Sequence, residues 1–296
     1  MKVQEFFETM YWPEHVKTTN RPGTARNKEA AFRLYILPMF GDKDLGDIKA
    51  FDYVRFRNAI KAKGLSDKTL KNHQSDLRHM LNMAVEWEAI PHFPKLKSVK
   101  VELPKMRVLS SSEFKALKAS VAYEKPRFRA LFYFAARTGM RIGELRGLKW
   151  SDFETLKGRH GINVARSVSG RGDVIGPTKN GKARWAPIDL SEVLRHTISS
   201  LDPRTEFLFS DPKRPTVPLT YKAADCAIKR MMRRARLDAI GWHTIRHTFA
   251  SALCGRGVNV VQVKDLLGHV DIRTTMRYVQ LDAACLSDAA RAIEDF

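Results

Sequence analysis

Apolar residues recur at helical spacing along most of this chain, and the places where that period breaks divide it. Residues 1–90 read as helices. Thr24 is placed to cap one whose apolar side includes Ala31, Leu34 and Tyr35 and which ends near Pro38 and Gly41. Ser66-Asp67 opens another, with Leu70, Leu77, Leu81, Ala84 and Trp87 on one side and Lys68, Lys71, His73 and Arg78 on the other. Over 91–108 the period vanishes. Three prolines and several lysines, Lys95 and Lys97 among them, predict a basic linker between two domains.

The helical period resumes at Ser110, which is spaced to form a capping box with Glu113. Residues 126–138 (Phe128, Leu131, Phe132, Tyr133, Phe134, Ala135, Ala136) are apolar on nearly every side, which predicts a buried central helix. Between 161 and 188 the period changes. Ile162, Val164, Val168, Val174, Ile175, Trp185 and Ile188 predict short strands, with Asn180-Gly181 as a hairpin turn. Helix is expected again over 189–240. Leu286, Ala289, Ala290, Ile293 and Phe296 predict a terminal amphipathic helix that folds back or docks on a partner.

Composition narrows the class. The 296 residues suffice for two moderate domains with real cores, and 44% hydrophobic with 28% charged residues is ordinary for a globular protein. The charge balance is not ordinary: 52 Lys+Arg against 32 Asp+Glu leave +20. Such a charge implies a polyanionic partner, nucleic acid before anionic membrane. Both parts share it, with 18 basic against 13 acidic residues in 1–103 and 34 against 19 in 104–296. No apolar run approaches the roughly 18 residues of a membrane span and no signal-peptide pattern opens the chain, so a cytoplasmic protein without a membrane partner is expected. Cys226, Cys254 and Cys285 are odd in number and form no C-x-x-C, which argues against a disulfide framework or zinc ribbon.

Spacing locates the candidate chemistry. In Gly241 to Tyr278, His243 and Arg246 lie three apart and His247 follows, so the three share a helix face. Two histidines at i, i+4 suit a zinc protease only with a glutamate after the first, and Thr244 stands there instead. The segment is then either a helix whose imidazoles cap and pack, or an imidazole–guanidinium clamp for an anion such as phosphate. Arg141 follows Gly139 at a helix start, which also favours an anion. Glu144, one turn on, either steadies that guanidinium or makes a surface ion pair. Lys179 flanks the tight turn, as a solubilising amine or one projected into a cleft. Tyr278 lies nine residues beyond His269. A phenol is a poor nucleophile at its usual pKa of about 10, and a useful one where cations surround it and the target is a phosphate. Lys229, Arg230, Arg233, Arg234 and Arg236 add a dense basic cluster just ahead.

In this order, Ala136-Arg137-Thr138-Gly139-Met140-Arg141-Ile142-Gly143-Glu144-Leu145, His243-Thr244-Ile245-Arg246-His247, Leu266-Leu267-Gly268-His269 and Thr274-Thr275-Met276-Arg277-Tyr278 resemble the tyrosine recombinase (phage integrase) family over nearly the whole chain. The resemblance implies a mainly α fold with a small antiparallel β-sheet in the catalytic domain (α+β), arranged as a two-domain C-shaped DNA clamp. Residues 1–90 would be a SAM-like helical core-DNA-binding domain, 91–108 the basic linker, 109–278 the catalytic domain and 279–296 a C-terminal helix whose own pattern leaves cis and trans docking open. It implies that Tyr278 attacks a scissile phosphate to form a 3′-phosphotyrosyl link, that Arg141 and Arg246 clamp the non-bridging oxygens, and that His269 adds a hydrogen bond. Lys179 would protonate the 5′-oxygen, His243 would assist proton transfer around Tyr278, and Glu144 would support Arg141.

Double-stranded DNA at a recombination site is the expected partner, touched by Lys68, Lys71, Arg78, Lys95, Lys97, Lys229, Arg230 and Arg233. A homotetramer in the synaptic complex, a monomer when free, and an accessory DNA-bending protein complete the expected partners. No acidic cluster has metal-ligand spacing, and no cofactor, Mg²⁺ or ATP is expected. Integration, excision and resolution are all open. Many phage integrases carry an arm-binding domain ahead of the segment that begins here at Val3-Gln4-Glu5-Phe6-Phe7. A type IB topoisomerase would share the chemistry without exchanging partners, and a non-catalytic DNA-binding protein would lack one of the six groups.

Overall fold

The computed structural model describes residues 1–94, 101, 106–169, 173–188, 192–238 and 240–279, with the side chains of 192–194 outside that description. Lys95, Lys97 and all but the first residue of the predicted terminal helix therefore lie outside the described residues. The chain divides into two compact units, Met1–Pro104 and Lys105–Phe296.

The first unit is helical. A chain of turns begins at Val3–Phe6, runs through a π-helical stretch Phe7–Val16 and closes at Lys17–Thr19. Next come Pro22–Ala31, a second π-helical stretch Phe32–Ile36 and Leu37–Phe40. Helices Ala50–Ala62 and Asp67–Glu86 complete the unit. Phe6, Phe7, Tyr11, Phe32, Phe40, Phe56, Leu77 and Leu81 fill one core. Thr24 does not cap. Pro22 takes the first helical position, its ring fixing φ where no N–H is needed, and Thr24 falls inside the helix. Leu34, expected on the apolar side, is exposed, because it lies inside the π-helical stretch Phe32–Ile36, whose wider turns shift the face presented to the core. Ser66 does cap, accepting from Thr69 N–H at 3.2 Å. His73, expected on the basic side of that helix, is instead buried and stacked on Tyr35 at 4.7 Å between centroids.

The second unit is helices around small sheets. Ser110 and Glu113 form the capping box at the head of α5 (Ser111–Val121), counting the four helices Val3–Phe6, Pro22–Ala31, Ala50–Ala62 and Asp67–Glu86 as α1 to α4. The central helix α6 (Pro126–Thr138) buries Phe128, Leu131, Phe132 and Phe134 as its all-round apolar surface predicts. It ends on Gly139 at φ +61°, where a Cβ would lie 2.3 Å from the Phe249 ring. Glycine is thus required there both for the left-handed turn and for the close approach of Phe249 and Leu267. Helix α7 (Ile142–Arg146) follows.

Strands β1 (Phe153–Leu156), β2 (Arg159–Val164) and β5 (Arg184–Pro187) form an antiparallel sheet, with Ile162 opposite both Phe153 and Ala186. Strands β3 (Arg166–Val168) and β4 (Ile175–Pro177) pair separately. Asn180-Gly181 therefore turns between two sheets rather than closing a hairpin of paired strands. The Asn180 amide is drawn away to Gly268 O at 2.7 Å. Residues 189–240 are not helix throughout: α8 (Glu192–Ser199) is followed by the β6–β7 hairpin (Ser210–Asp211, Arg214–Pro218) and then α9 (Tyr221–Arg234). Helices α10 (Trp242–Cys254), α11 (Val260–Leu267) and α12 (Ile272–Val279) close the unit. Among the described residues, no helix is long and apolar enough to cross a membrane.

Candidate active site

Five chain segments carry the predicted groups, Lys179 coming from the turn between β4 and β5. Glycine breaks place two of them: Gly139 ends α6 so that the chain re-enters helix at Arg141, and Gly268, at φ +64°, ends α11 so that His269 turns back under Lys264 O. Helix α10 supplies His243, Arg246 and His247 from one face, and α12 supplies Tyr278.

Arg141 is anchored by Glu144, which accepts from the Arg141 backbone N–H at 2.9 Å and its guanidinium at 2.8 Å. The other anchor is Arg184 on β5, whose guanidinium donates to Glu144 at 2.7 Å and to Leu266 O at 3.0 Å. Burial would push the Glu144 carboxyl up, but Arg184 and then Arg141 outweigh it and hold the pKa at about 2. A folded pKa below the unfolded value gives stability that is fully present above about pH 4.5 and lost as the pH falls toward about 2. About 3 kcal/mol of acid sensitivity follows. In Glu144→Gln this acid limb is expected to flatten in denaturation curves compared at about pH 6 and about pH 3.

Arg246 is buried and donates to Gly139 O and Leu267 O, each at 2.8 Å, so two helix ends aim it. Burial and the charge of Arg141 lower its pKa to about 9, which leaves it protonated at neutral pH. His269 bonds Thr275 Oγ1 through Nδ1 at 2.8 Å. Burial, Arg246 and Arg141 hold it neutral, at a pKa of about 3. Desolvation, followed by the charges of Arg246, Arg141 and Lys179, also lowers His243, although that residue's outer edge is open to solvent. Lys179 itself is exposed.

Tyr278 is 1% exposed. Its ring stacks on His269 at 6.2 Å and 10°, and its hydroxyl meets His247 Nδ1 at 2.8 Å. Burial raises its pKa against the lowering pull of Arg246, Arg277 and Arg141. All six predicted groups thus act electrostatically on at least one other. Burial first, and then crowded guanidinium charge, lower the pKa values of Arg246, His243 and His269. Glu144, already shared by Arg141 and Arg184, offsets only part of that charge, and a bound anion would relieve more of it.

Two neighbours escape the sequence reading. His247 carried a signal, since it shares the α10 face with His243 and Arg246. Arg184 carried none, because only the pairing of β5 with β2 brings it to Glu144.

Of the DNA-contact candidates, Lys68 and Arg233 are exposed and Lys71 is half-buried. Arg78 is half-buried beside Tyr53, and its charge lowers that phenol's pKa against the larger, raising effect of burial. Lys229 pairs with Asp225 at 2.7 Å. Arg230 is committed to the fold, paired with buried Glu124 at 2.7 Å and lying over Phe128. Among the described residues no group of three or more His, Cys, Asp or Glu is arranged to hold a metal.

The model of the Phage integrase family matches residues 107–284, and that of the phage integrase N-terminal SAM-like domain matches 3–61. The chain belongs to the phage integrase family, the tyrosine recombinases. It is 27% identical to a XerC-like tyrosine recombinase of Caldanaerobacter subterraneus subsp. tengcongensis, over 88% of this chain and 75% of that protein. It is 24% identical to the ICEBs1 integrase of Bacillus subtilis, over 87% and 73% respectively. Its fold matches the Tn1549 transposon integrase solved with a circular intermediate DNA, at a TM-score of 0.81 and 19% identity over 100% of both chains. It also matches the lambda integrase tetramer solved on a Holliday junction, at 0.72 and 18% identity over 94% of this chain and 77% of that one.

Proposed function

We propose that this site-specific DNA recombinase cuts and reseals duplex DNA by attack of Tyr278 Oη on a backbone phosphorus, forming a 3′-phosphotyrosine and freeing a 5′-hydroxyl. Arg141 and Arg246 hold the non-bridging oxygens, where charge gathers in the transition state, and His269 donates beside them. Lys179 protonates the departing 5′-oxygen, and Glu144 fixes Arg141. The covalent link conserves bond energy, so rejoining is the reverse step with the 5′-hydroxyl of another strand.

The observation that carries this reading is a single phenol enclosed by guanidinium and imidazole groups, with Glu144 offsetting only part of the guanidinium charge. The site supplies its own positive charge, so cleavage is expected to proceed in EDTA. A phenol 1% exposed cannot meet a phosphate until its cover shifts, so the described state is a resting one and DNA engagement must displace part of α12 or the residues around it. Exposed Lys68 and Arg233 are candidate backbone contacts, and 109–278 is the catalytic domain of the reading. The tetramer seen for the lambda relative supports four protomers around two sites. The protein would work in the cytoplasm, where its DNA lies.

The test is exchange. The target site is identified by sequencing DNA trapped covalently on the protein. Two duplexes carrying it, each labelled on one arm, are expected to yield products with swapped arms. Relaxation of a supercoiled circle without any swap would indicate the topoisomerase reading instead.

A further inference from the structure

Tyr278 has one polar neighbour at hydrogen-bond distance among the described residues, and it is not His243, to which the family resemblance gives the assisting role. His247 Nδ1 lies 2.8 Å from Tyr278 Oη, with the rings 5.6 Å apart and tilted by 45°. The His243 ring is one turn away, 6.3 Å from that of His247 and on the exposed side.

We propose that His247 is a catalytic residue, the acceptor that takes the Tyr278 proton as the phenol attacks. This rests on the reading of Tyr278 as the nucleophile. In the forward step the Oη–phosphorus bond forms and the phosphorus–O5′ bond breaks. The phenolic proton passes to Nδ1 of a neutral imidazole protonated at Nε2, and Lys179 gives a proton to O5′. In rejoining, the 5′-hydroxyl returns its proton to Lys179, the phosphotyrosine bond breaks, and His247 restores the proton to the phenol.

The surroundings explain why such a base is silent without DNA. His247 is faced by His243 and Arg246 on its own helix, by Arg277 and Tyr278 on α12, and by His269 at the end of α11. Burial, His243, Arg246 and Arg277 lower its pKa to about 4, so the imidazole is neutral, and its Nε2-protonated tautomer turns the Nδ1 lone pair toward the hydroxyl 2.8 Å away. A phosphate bound by Arg141 and Arg246 neutralises the charge that depresses it, and its proton affinity rises when the substrate arrives. The phenol therefore stays protonated in the free protein and becomes a nucleophile only beside its target.

The test uses nicked suicide duplexes whose scissile 5′-oxygen is either oxygen or sulfur. A sulfur leaving group needs no acid, so it bypasses Lys179 and leaves the base step exposed. His247→Asn keeps an acceptor near the Nδ1 position but cannot take a proton. It is expected to cleave about a hundredfold more slowly than wild type on both duplexes. Its deficit should shrink about tenfold per pH unit as hydroxide replaces the base. Lys179→Ala should be slow on oxygen and restored on sulfur. His247→Ala should regain activity with added imidazole, which also serves if the Asn variant folds poorly. Equal or faster cleavage by His247→Asn, or its rescue by sulfur, would overturn the assignment to His247. Absence of any adduct with the wild-type protein on either duplex would instead overturn the reading of Tyr278.

Discussion

Tyr278→Phe is expected to abolish covalent capture of DNA while leaving duplex affinity within a few-fold of wild type. The substitution removes one oxygen and nothing else. The ring keeps its place against His269, and the lost hydrogen bond to His247 costs about 1 kcal/mol of stability. Affinity rests on phosphate contacts spread over a +20 chain, so it should persist and fall steeply with added salt. Loss of activity with retained binding separates a missing nucleophile from a damaged fold. The readout is a covalent band after denaturing electrophoresis of a nicked duplex incubated with each protein.

The second large effect belongs to Arg246. Arg246→Lys retains the charge but not the planar fork. The native guanidinium donates to Gly139 O and Leu267 O through two nitrogens, which on the proposed reading leaves its remaining donors for a phosphate. An ammonium cannot satisfy both carbonyls and still reach a phosphate in that geometry. Single-turnover cleavage is expected to fall about a thousandfold, as for removal of a preorganised oxyanion donor. The two buried carbonyls also lose full satisfaction, so the variant should unfold at lower denaturant as well. A drop in stability with unchanged cleavage would assign Arg246 to the scaffold alone.

Glu144 shows how such a site is supported. It lies between Arg141 and Arg184, buried and charged, and its acid-sensitive stability is the energetic trace of that clamp. Arg184 ties the same carboxylate to the end of α11 through Leu266 O. The loop that ends in His269 and the helix that begins at Arg141 are thereby joined through one residue.

Much of this was legible in the chain because it is local. The capping box at Ser110, the all-round apolar face of 126–138, and the shared face of His243 and Arg246 depend on neighbours within one or two turns. What was not legible depends on distant pairing. Arg184 reaches Glu144 only because β5 pairs with β2, and Asn180-Gly181 turns between sheets because its amide is held by Gly268. Spacing puts His73 on the basic side of its helix, yet it is buried in a stack with Tyr35. The π-helical stretches at 7–16 and 32–36 shift the face of their helices, and no residue type announces them. His247 lay in view within a quoted motif. Its role was hidden because the bond to Tyr278 spans two helices, 31 residues apart.

The most direct measurement is the chemistry of the adduct itself. Wild-type protein incubated in EDTA with a nicked duplex, then digested and weighed by mass spectrometry, should carry a nucleotide on the peptide containing Tyr278, joined through the 3′-phosphate. An adduct on another residue, a 5′-linked nucleotide, or cleavage that requires added metal would contradict the account.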